Sequence, residues 1–310
     1  MSQEDHKNNP VDQRQYYNQW WKGIDGWSFV RWVPEEREIC MRRLIQPGQK
    51  VLDVGCGDGS AYAESLVKSG IEVFGVDISD VAVEEANSRG IKAVRASLDE
   101  PLPFPDGEFD VVLCIDMILH LLDPEFAVQE MFRVLRPGGK LLICVNNVGN
   151  WRNRIDHLFF GYVSPMGTPI TSRRYPWRDP GVRLFTNESV GNLLSDVGFL
   201  VEEQGGWETK FWNRAPGLRD LMDKPFALPL HAPLQDFASR YPNLLAGTCM
   251  AVGRKPATEQ EKLDVEAAES VTSSLDGRKT LLAAAAVLTT MAFLRRRAAR
   301  KRAARKRARL

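Results

Sequence analysis

The stretch Val51-Leu52-Asp53-Val54-Gly55-Cys56-Gly57-Asp58-Gly59-Ser60 decides the fold. Val51 to Val54 is a short buried-strand run that ends in glycines, and glycines at 55, 57 and 59 let backbone approach a ligand where side chains would block it. In open α/β sheets ligands bind beyond the carboxyl ends of strands, at the point where strand order reverses. A dinucleotide fingerprint needs a further glycine at position 60, to seat a pyrophosphate on the helix that follows. Ser60 stands there, so the third glycine comes one residue early. Asp77 ends the next strand, where a carboxylate can accept hydrogen bonds from both hydroxyls of a ribose. That acid by itself does not separate one adenosine cofactor from another.

Outward from this loop, strand and helix patterns alternate. Ser60 to Ser69 reads as a helix closed by Gly70, and Glu72 to Val76 as a strand ending at Asp77. Ser79 or Asp80 caps a helix through Ser88, and Lys92 to Arg95 is a third strand. Phe109 to Ile115 is almost wholly apolar, as a strand covered on both faces should be. Pro124 to Leu135 reads as a helix stopped by Pro137-Gly138-Gly139, and Leu141 to Val145 as a fifth strand. Thr186 to Val197 resembles a capped helix, with strands at Phe199 to Glu203 and Thr248 to Val252. The alternation predicts an open, mostly parallel sheet with helices on both faces. Residues 147–185 and 205–245 show little regular pattern, and insertions of that length usually shape a ligand site.

Several of these landmarks, in this order, resemble class I S-adenosylmethionine-dependent methyltransferases of the type 11 or 23 kind. They are the glycine loop after Asp53, the acid Asp77, Leu102-Pro103-Phe104-Pro105-Asp106, Phe109-Asp110-Val111-Val112, His120, and Arg133 through Gly139. The resemblance covers roughly residues 45–203. Asn147, Trp151-Arg152, Arg154, Gly161, Pro165, Trp177 and Arg183-Leu184-Phe185-Thr186 are more loosely similar to the branch containing the methionine-biosynthesis protein MetW.

The resemblance implies a Rossmann-like, seven-stranded α/β fold over 46–253, an aromatic, helical cap over 1–45, and S-adenosyl-L-methionine as cofactor. Asp53, Gly55, Cys56, Gly57 and Gly59 should face the methionine part and ribose, Asp77 should hold the ribose hydroxyls, and Ile78 should stack on adenine. Ser97 and Leu98 take the adenine edge. Many relatives carry Asp at position 97, so Ser97 is a departure, and Asp99 substitutes only if the loop shifts. Cys114 and Ile115, just past strand four, should line the methionine side. Cys56 reads as a small spacer.

Methyl transfer from a sulfonium is an in-line displacement of an already activated group, so alignment and exclusion of water matter most. A general base is needed only when the acceptor must lose a proton. His120 is the candidate, because histidine titrates near working pH and follows the strand-four tip; packing at a helix start is the competing reading. Tyr17, Trp151, Arg154, Tyr162 and Arg183 are candidate substrate residues, suited to a flat or anionic acceptor, or else parts of a structural lid. Tyr17 belongs to an aromatic cluster with Tyr16, Trp20 and Trp21. A nicotinamide oxidoreductase, disfavoured by Ser60, and a non-catalytic, tethered cofactor-binding adaptor are the alternatives.

Composition divides the 310-residue chain in two. Lys+Arg number 41 and Asp+Glu 40, for a net charge of +1. Arg295 to Leu310 holds ten of the basic residues and no acid, which leaves 31 basic against 40 acidic residues, a net −9, in the rest. Hydrophobic residues at 44% exclude a disordered chain. Five scattered cysteines without a CxxC pair argue against a zinc site or disulfide framework, and a polar N-terminus without a signal peptide suits a cytoplasmic body. After a polar linker over 254–279, Thr280 to Leu294 is uncharged and apolar on all sides. As a helix it would reach about 22 Å, against about 30 Å of bilayer hydrocarbon. A span would also put either the body or the ten positive charges on the wrong side, so an interfacial or re-entrant helix with its basic tail on anionic lipid, on the inner face of a membrane, is favoured. A nucleic-acid arm is less favoured because the tail has no aromatic residue for base stacking. A merely solvated charge run is the remaining reading. The acceptor is accordingly read as a small molecule or a membrane-associated, lipid-like one.

Overall fold

β1 (Lys50–Val54) is the third strand, beside the central β4, in a seven-stranded sheet of order β3-β2-β1-β4-β5-β7-β6. In the computed structural model the described residues are 12–22, 35–161, 181–207 and 242–258, with a few isolated positions beyond. Contacts divide the chain into Met1–Thr258, which holds the sheet, and Glu259–Leu310. β2 (Glu72–Asp77), β3 (Lys92–Arg95), β4 (Phe109–Ile115) and β5 (Leu135–Asn146) run parallel to β1. β7 (Thr248–Arg254) runs antiparallel between β5 and β6 (Leu200–Trp207).

Side chains alternate across each strand, so the two faces build two cores. Leu52, Val54, Val112, Cys114, Ile143 and Val145 point into one. There they meet Val128 and Met131 of α5 (Pro124–Val134) and Val190 and Leu194 of α7 (Asn187–Asp196). Val51, Val111, Leu113 and Leu142 fill the other. They meet Met41 of α2 (Glu35–Leu44), Leu66 of α3 (Ala63–Lys68) and Ala86 of α4 (Asp80–Ser88). The sequence rules for helix ends operate as read. Ser79 Oγ accepts from the Ala82 N–H, Asp123 Oδ1 from the Phe126 N–H, and Thr186 and Ser189 form a capping box.

Four elements depart from the sequence reading. The helix expected from Ser60 begins only at Ala63, because Asp58 Oδ1 accepts from both the N–H and the hydroxyl of Ser60 and holds 58–60 as a turn. β5 begins at Leu135 and not at Leu141: Leu135 pairs with Phe109, the chain bulges over 136–139, and Lys140 resumes pairing with Val111. Lys255 fastens that bulge, its C=O accepting from the Gly138 N–H and its N–H donating to the Gly139 C=O, each at 2.9 Å. The stretch read as a linker from 254 therefore begins as the end of a paired strand, with Arg254 between Lys140 and Leu200. α6 (Trp151–Phe160) forms inside a region read as irregular; Ile155, Leu158 and Phe159 on it are exposed, so no buried face marks it in the sequence. The apolar segment 280–294 and the basic tail 295–310 lie outside the described residues. Among the described residues no helix is long and apolar enough to cross a membrane.

Candidate active site

β1 and β2 lie in register, with Asp53 opposite Gly75 and Val54 opposite Val76, so the glycine loop folds over the tip of β2. The Gly55 and Cys56 N–H groups both donate to the Val76 C=O, at 2.8 and 3.0 Å. The Gly57 N–H donates to Asp77 Oδ2 at 3.0 Å, and the Ser79 N–H to Asp77 Oδ1 at 2.9 Å. The Gly59 N–H turns back to the Cys56 C=O at 3.1 Å. These amides are satisfied inside the protein, so the loop offers them to no pyrophosphate. The Asp77 carboxylate keeps acceptor capacity for a further donor. Burial pushes the Asp77 carboxyl above its ordinary range, against the three backbone N–H groups of Ser79, Gly57 and Ile78 that lower it.

Asp53 is 1% exposed, and its Oδ1 accepts from the Tyr62 hydroxyl at 2.6 Å. Burial pushes its pKa up to about 7; the Tyr62 hydrogen bond opposes that rise and the Asp77 charge adds to it. The Cys56 thiol is pushed up by burial, as an inert spacer should be, and its sulfur packs where a Gly75 side chain would stand.

α1 (Gln13–Lys22) roofs this loop. Asn18 Oδ1 accepts from Ser79 Oγ at 2.7 Å, Asn18 Nδ2 donates to Asp80 Oδ2 at 3.0 Å, and the Arg14 guanidinium pairs with the same carboxylate at 2.7 Å. That grip places the Trp21 ring 2.6 Å from where a Cβ on Gly57 would lie. On the other flank, Met117 Cγ stands 2.5 Å from the same point on Gly55. Both glycines have positive φ, so backbone geometry and space each demand the missing side chain. Tyr17 of α1 meets His120 edge-on, with ring centroids 6.3 Å apart. Burial, with Tyr16 and the Asp77 charge nearby, pushes the Tyr17 phenol up, which keeps it a hydrogen-bond donor.

Asp53, Gly55, Cys56, Gly57, Gly59 and Asp77 are thus gathered around one turn, with Tyr17 and His120 above it. Ile78 is partly exposed beside Asp77, and Ser97 Oγ accepts from the Asp99 N–H at 3.2 Å. Leu98 is buried in the core, and Asp99 Oδ1 is buried with no hydrogen-bond partner. Cys114 and Ile115 lie within β4 and not past it; Cys114 is fully buried, so Asp116 takes the tip position expected of them. Trp151 opens α6, while Arg154 Nε donates to the Gly149 C=O at 2.6 Å and Arg183 donates to the Leu122 C=O. Both guanidiniums therefore hold backbone, a structural use that the sequence left open beside acceptor binding. Tyr162 lies outside the described residues. Asn18, Tyr62 and Asp116 were not singled out from the sequence, and Trp21 was named only within the aromatic cluster. That cluster brackets Asn18, and nothing in spacing pointed to Tyr62.

A family described as a methyltransferase domain matches residues 52–143. The demethylmenaquinone methyltransferase of Listeria welshimeri is 30% identical over 201 residues, 58% of this chain and 84% of that protein. The chain belongs to the class I S-adenosylmethionine-dependent methyltransferases. Phosphoethanolamine N-methyltransferase 1 of Arabidopsis thaliana is 30% identical over 169 residues, 53% of this chain and 31% of that one. Among solved structures, Haemonchus contortus phosphoethanolamine N-methyltransferase 2, in complex with phosphomonomethylethanolamine and S-adenosylhomocysteine, shares the fold. Its TM-score is 0.55 at 20% identity, covering 81% of this chain and 62% of that one.

The methyl donor of this methyltransferase is S-adenosylmethionine. The donor set fits it. A buried carboxyl paired only with a neutral phenol among the contacts above suits a cationic ligand, and the orphaned Asp99 oxygen suits an amine N–H. The satisfied loop amides disfavour the pyrophosphate of a nicotinamide cofactor.

Proposed function

We propose that this methyltransferase acts on a small or membrane-associated, lipid-like acceptor held between α1 and the turn Ile118–His120. The Tyr17–His120 contact carries the reading, because it joins α1 to that turn close to the Asp77 carboxylate and the glycine loop. Asp77 accepts from the ribose hydroxyls, Asp53 and the Gly55–Gly57 backbone face the methionine part, Ile78 covers adenine, and Ser97 with Asp99 meets its edge. S-adenosylmethionine supplies a methyl group already activated on sulfur. Tyr17 donates a hydrogen bond to the acceptor, His120 takes its proton, and the α1 roof excludes water.

His120→Gln should lower kcat about 100-fold, the common contribution of a positioned general base, and flatten the pH–rate profile below neutrality. Tyr17→Phe should raise KM with a smaller loss in kcat. Labelled methyl transfer into fractionated lysate reads both, and an unchanged rate in His120→Gln removes the base from the mechanism.

The membrane part of the proposal rests on the ten basic residues of 295–310 behind an apolar run. Each basic residue near an anionic surface contributes about 1 kcal/mol before losses. Full-length protein should float with phosphatidylserine-containing liposomes and a 1–279 truncation should not; equal flotation would refute the tail's role.

A further inference from the structure

α6 is turned inside out for a helix that faces water. Trp151, Ile155, Leu158 and Phe159 recur at the spacing of one helix face, the stripe that a surface helix normally turns to the core. Here Ile155, Leu158 and Phe159 are 43%, 76% and 72% exposed, and among the described side chains of α6 Asn153 alone is buried. The docking is polar. Asn150 Oδ1 caps the helix by accepting from the Asn153 N–H, Asn153 Nδ2 donates to the Asn147 C=O at 3.3 Å, and Arg154 Nε holds the Gly149 C=O. Hydrogen bonds at the first turn therefore fix the helix with its apolar stripe outward.

Apolar exposure recurs on the link to the site. Phe185 bridges Asn147 just ahead of α6, and the Val182 and Arg183 N–H groups donate to the Leu119 C=O beside His120. On that link Val182 and Leu184 are exposed, as is Leu122 just past the turn. Large apolar side chains exposed in such number mark a contact surface.

Charge says which contact. From Trp151 to Arg183 the sequence holds six arginines against two acids, within a body of net charge −9. α6 itself carries Arg152, Arg154 and His157 against the single acid Asp156. Trp, Leu and Phe on one face with arginines beside them suit the interface of an anionic bilayer, where apolar side chains enter and guanidiniums meet headgroups. Residues 280–310 repeat that pairing, an apolar run followed by ten basic residues.

We propose that the Ile155–Phe159 face of α6 inserts into an anionic membrane surface and turns the Leu119–His120 end of the site toward the lipid, from which the acceptor enters. The inference rests on the membrane reading above: the tail brings the body to the surface, and α6 sets its orientation there.

The test uses the full-length protein on vesicles of phosphatidylserine and phosphatidylcholine. The five native cysteines are all buried, so a fluorescent thiol label on Phe159→Cys attaches at that position alone. Nitroxide carried on the lipid tails should quench the bound label, and iodide in the water should cease to. Leu158→Gln combined with Phe159→Gln leaves the charge unchanged and should weaken vesicle binding about 30-fold, as two apolar side chains returned to water imply. Both positions are exposed, so thermal unfolding and affinity for S-adenosylhomocysteine should stay as they were. Flotation with a label still open to iodide, or equal binding by the double variant, overturns the role of α6 and leaves that of the tail intact. A lipid-free dimer that the double variant converts to monomer assigns the stripe to a second copy and overturns the lipid contact. No flotation of the unaltered protein overturns both readings together.

Discussion

Replacing Asp77 with alanine should weaken S-adenosylmethionine binding by about a thousandfold. Two hydrogen bonds from ribose hydroxyls to a carboxylate contribute about 1.5–3 kcal/mol each, and every 1.4 kcal/mol is a factor of ten in affinity. The residue also organises its own loop, accepting from the Gly57 and Ser79 N–H groups. Alanine leaves those donors without a partner, which costs about 1–3 kcal/mol, and relieves the desolvated carboxylate, which offsets part of that. Folding stability should therefore change far less than cofactor affinity. Calorimetric titration with S-adenosylhomocysteine, beside thermal unfolding, separates the two effects. An affinity within twofold of the unaltered protein overturns the ribose assignment.

Asp53→Asn should move stability and affinity in opposite directions. The Asp53 carboxyl titrates near 7 in the fold against an ordinary value of 3.8, so the folded state binds its proton more tightly than the unfolded chain does. Stability consequently falls as pH rises from about 4 to about 7, and the full penalty is present above that window. A shift of roughly three pKa units corresponds to an upper bound on the order of 4 kcal/mol. Asparagine cannot ionise, yet its side-chain oxygen can still accept from Tyr62. The cofactor-free variant should melt several degrees higher at pH 8, at about 2–4 °C per kcal/mol, with little gain at pH 4. Its affinity for S-adenosylmethionine should drop about 100-fold, because the carboxylate facing a cationic ligand is gone. Binding to the unaltered protein should also release protons near pH 7, as the incoming cation ionises Asp53. Calorimetry in buffers of different ionisation enthalpy reads that release directly, and a buffer-independent heat would refute the coupling. The opposition of stability and affinity is what a binding group held in an unfavourable setting should show.

The cofactor half of the site was legible because its parts are local. A glycine loop, the strand before it and an acid ending the next strand lie within about thirty residues, and each carries a backbone requirement that shows in residue type. Ser79 as a helix cap and the all-apolar Phe109–Ile115 strand were readable for the same reason. The acceptor half was not. α1 is a polar helix with no fully buried residue, so its periodicity says nothing of where it lies; Asn18 and Arg14 dock it through residues more than sixty positions away. α6 escaped notice because Ile155, Leu158 and Phe159 on it are exposed. The early start of β5 depends on Lys255, more than a hundred positions along the chain.

What chain chemistry alone establishes is therefore the βα framework, a glycine loop and acid placed for an adenosine cofactor, and the separation of a −9 body from a +10 tail, while the family resemblance named the cofactor. These follow from periodicity, backbone preference and formal charge, all of which are properties of short segments. What folding adds is the company each group keeps. Packing buries Asp53 and raises its pKa, and turns Arg154 and Arg183 onto carbonyls. It also sets Tyr17 against His120 and leaves Asp116 facing outward at the switch point. Burial and long-range contact set the electrostatics of a side chain, and neither is encoded in its immediate neighbours.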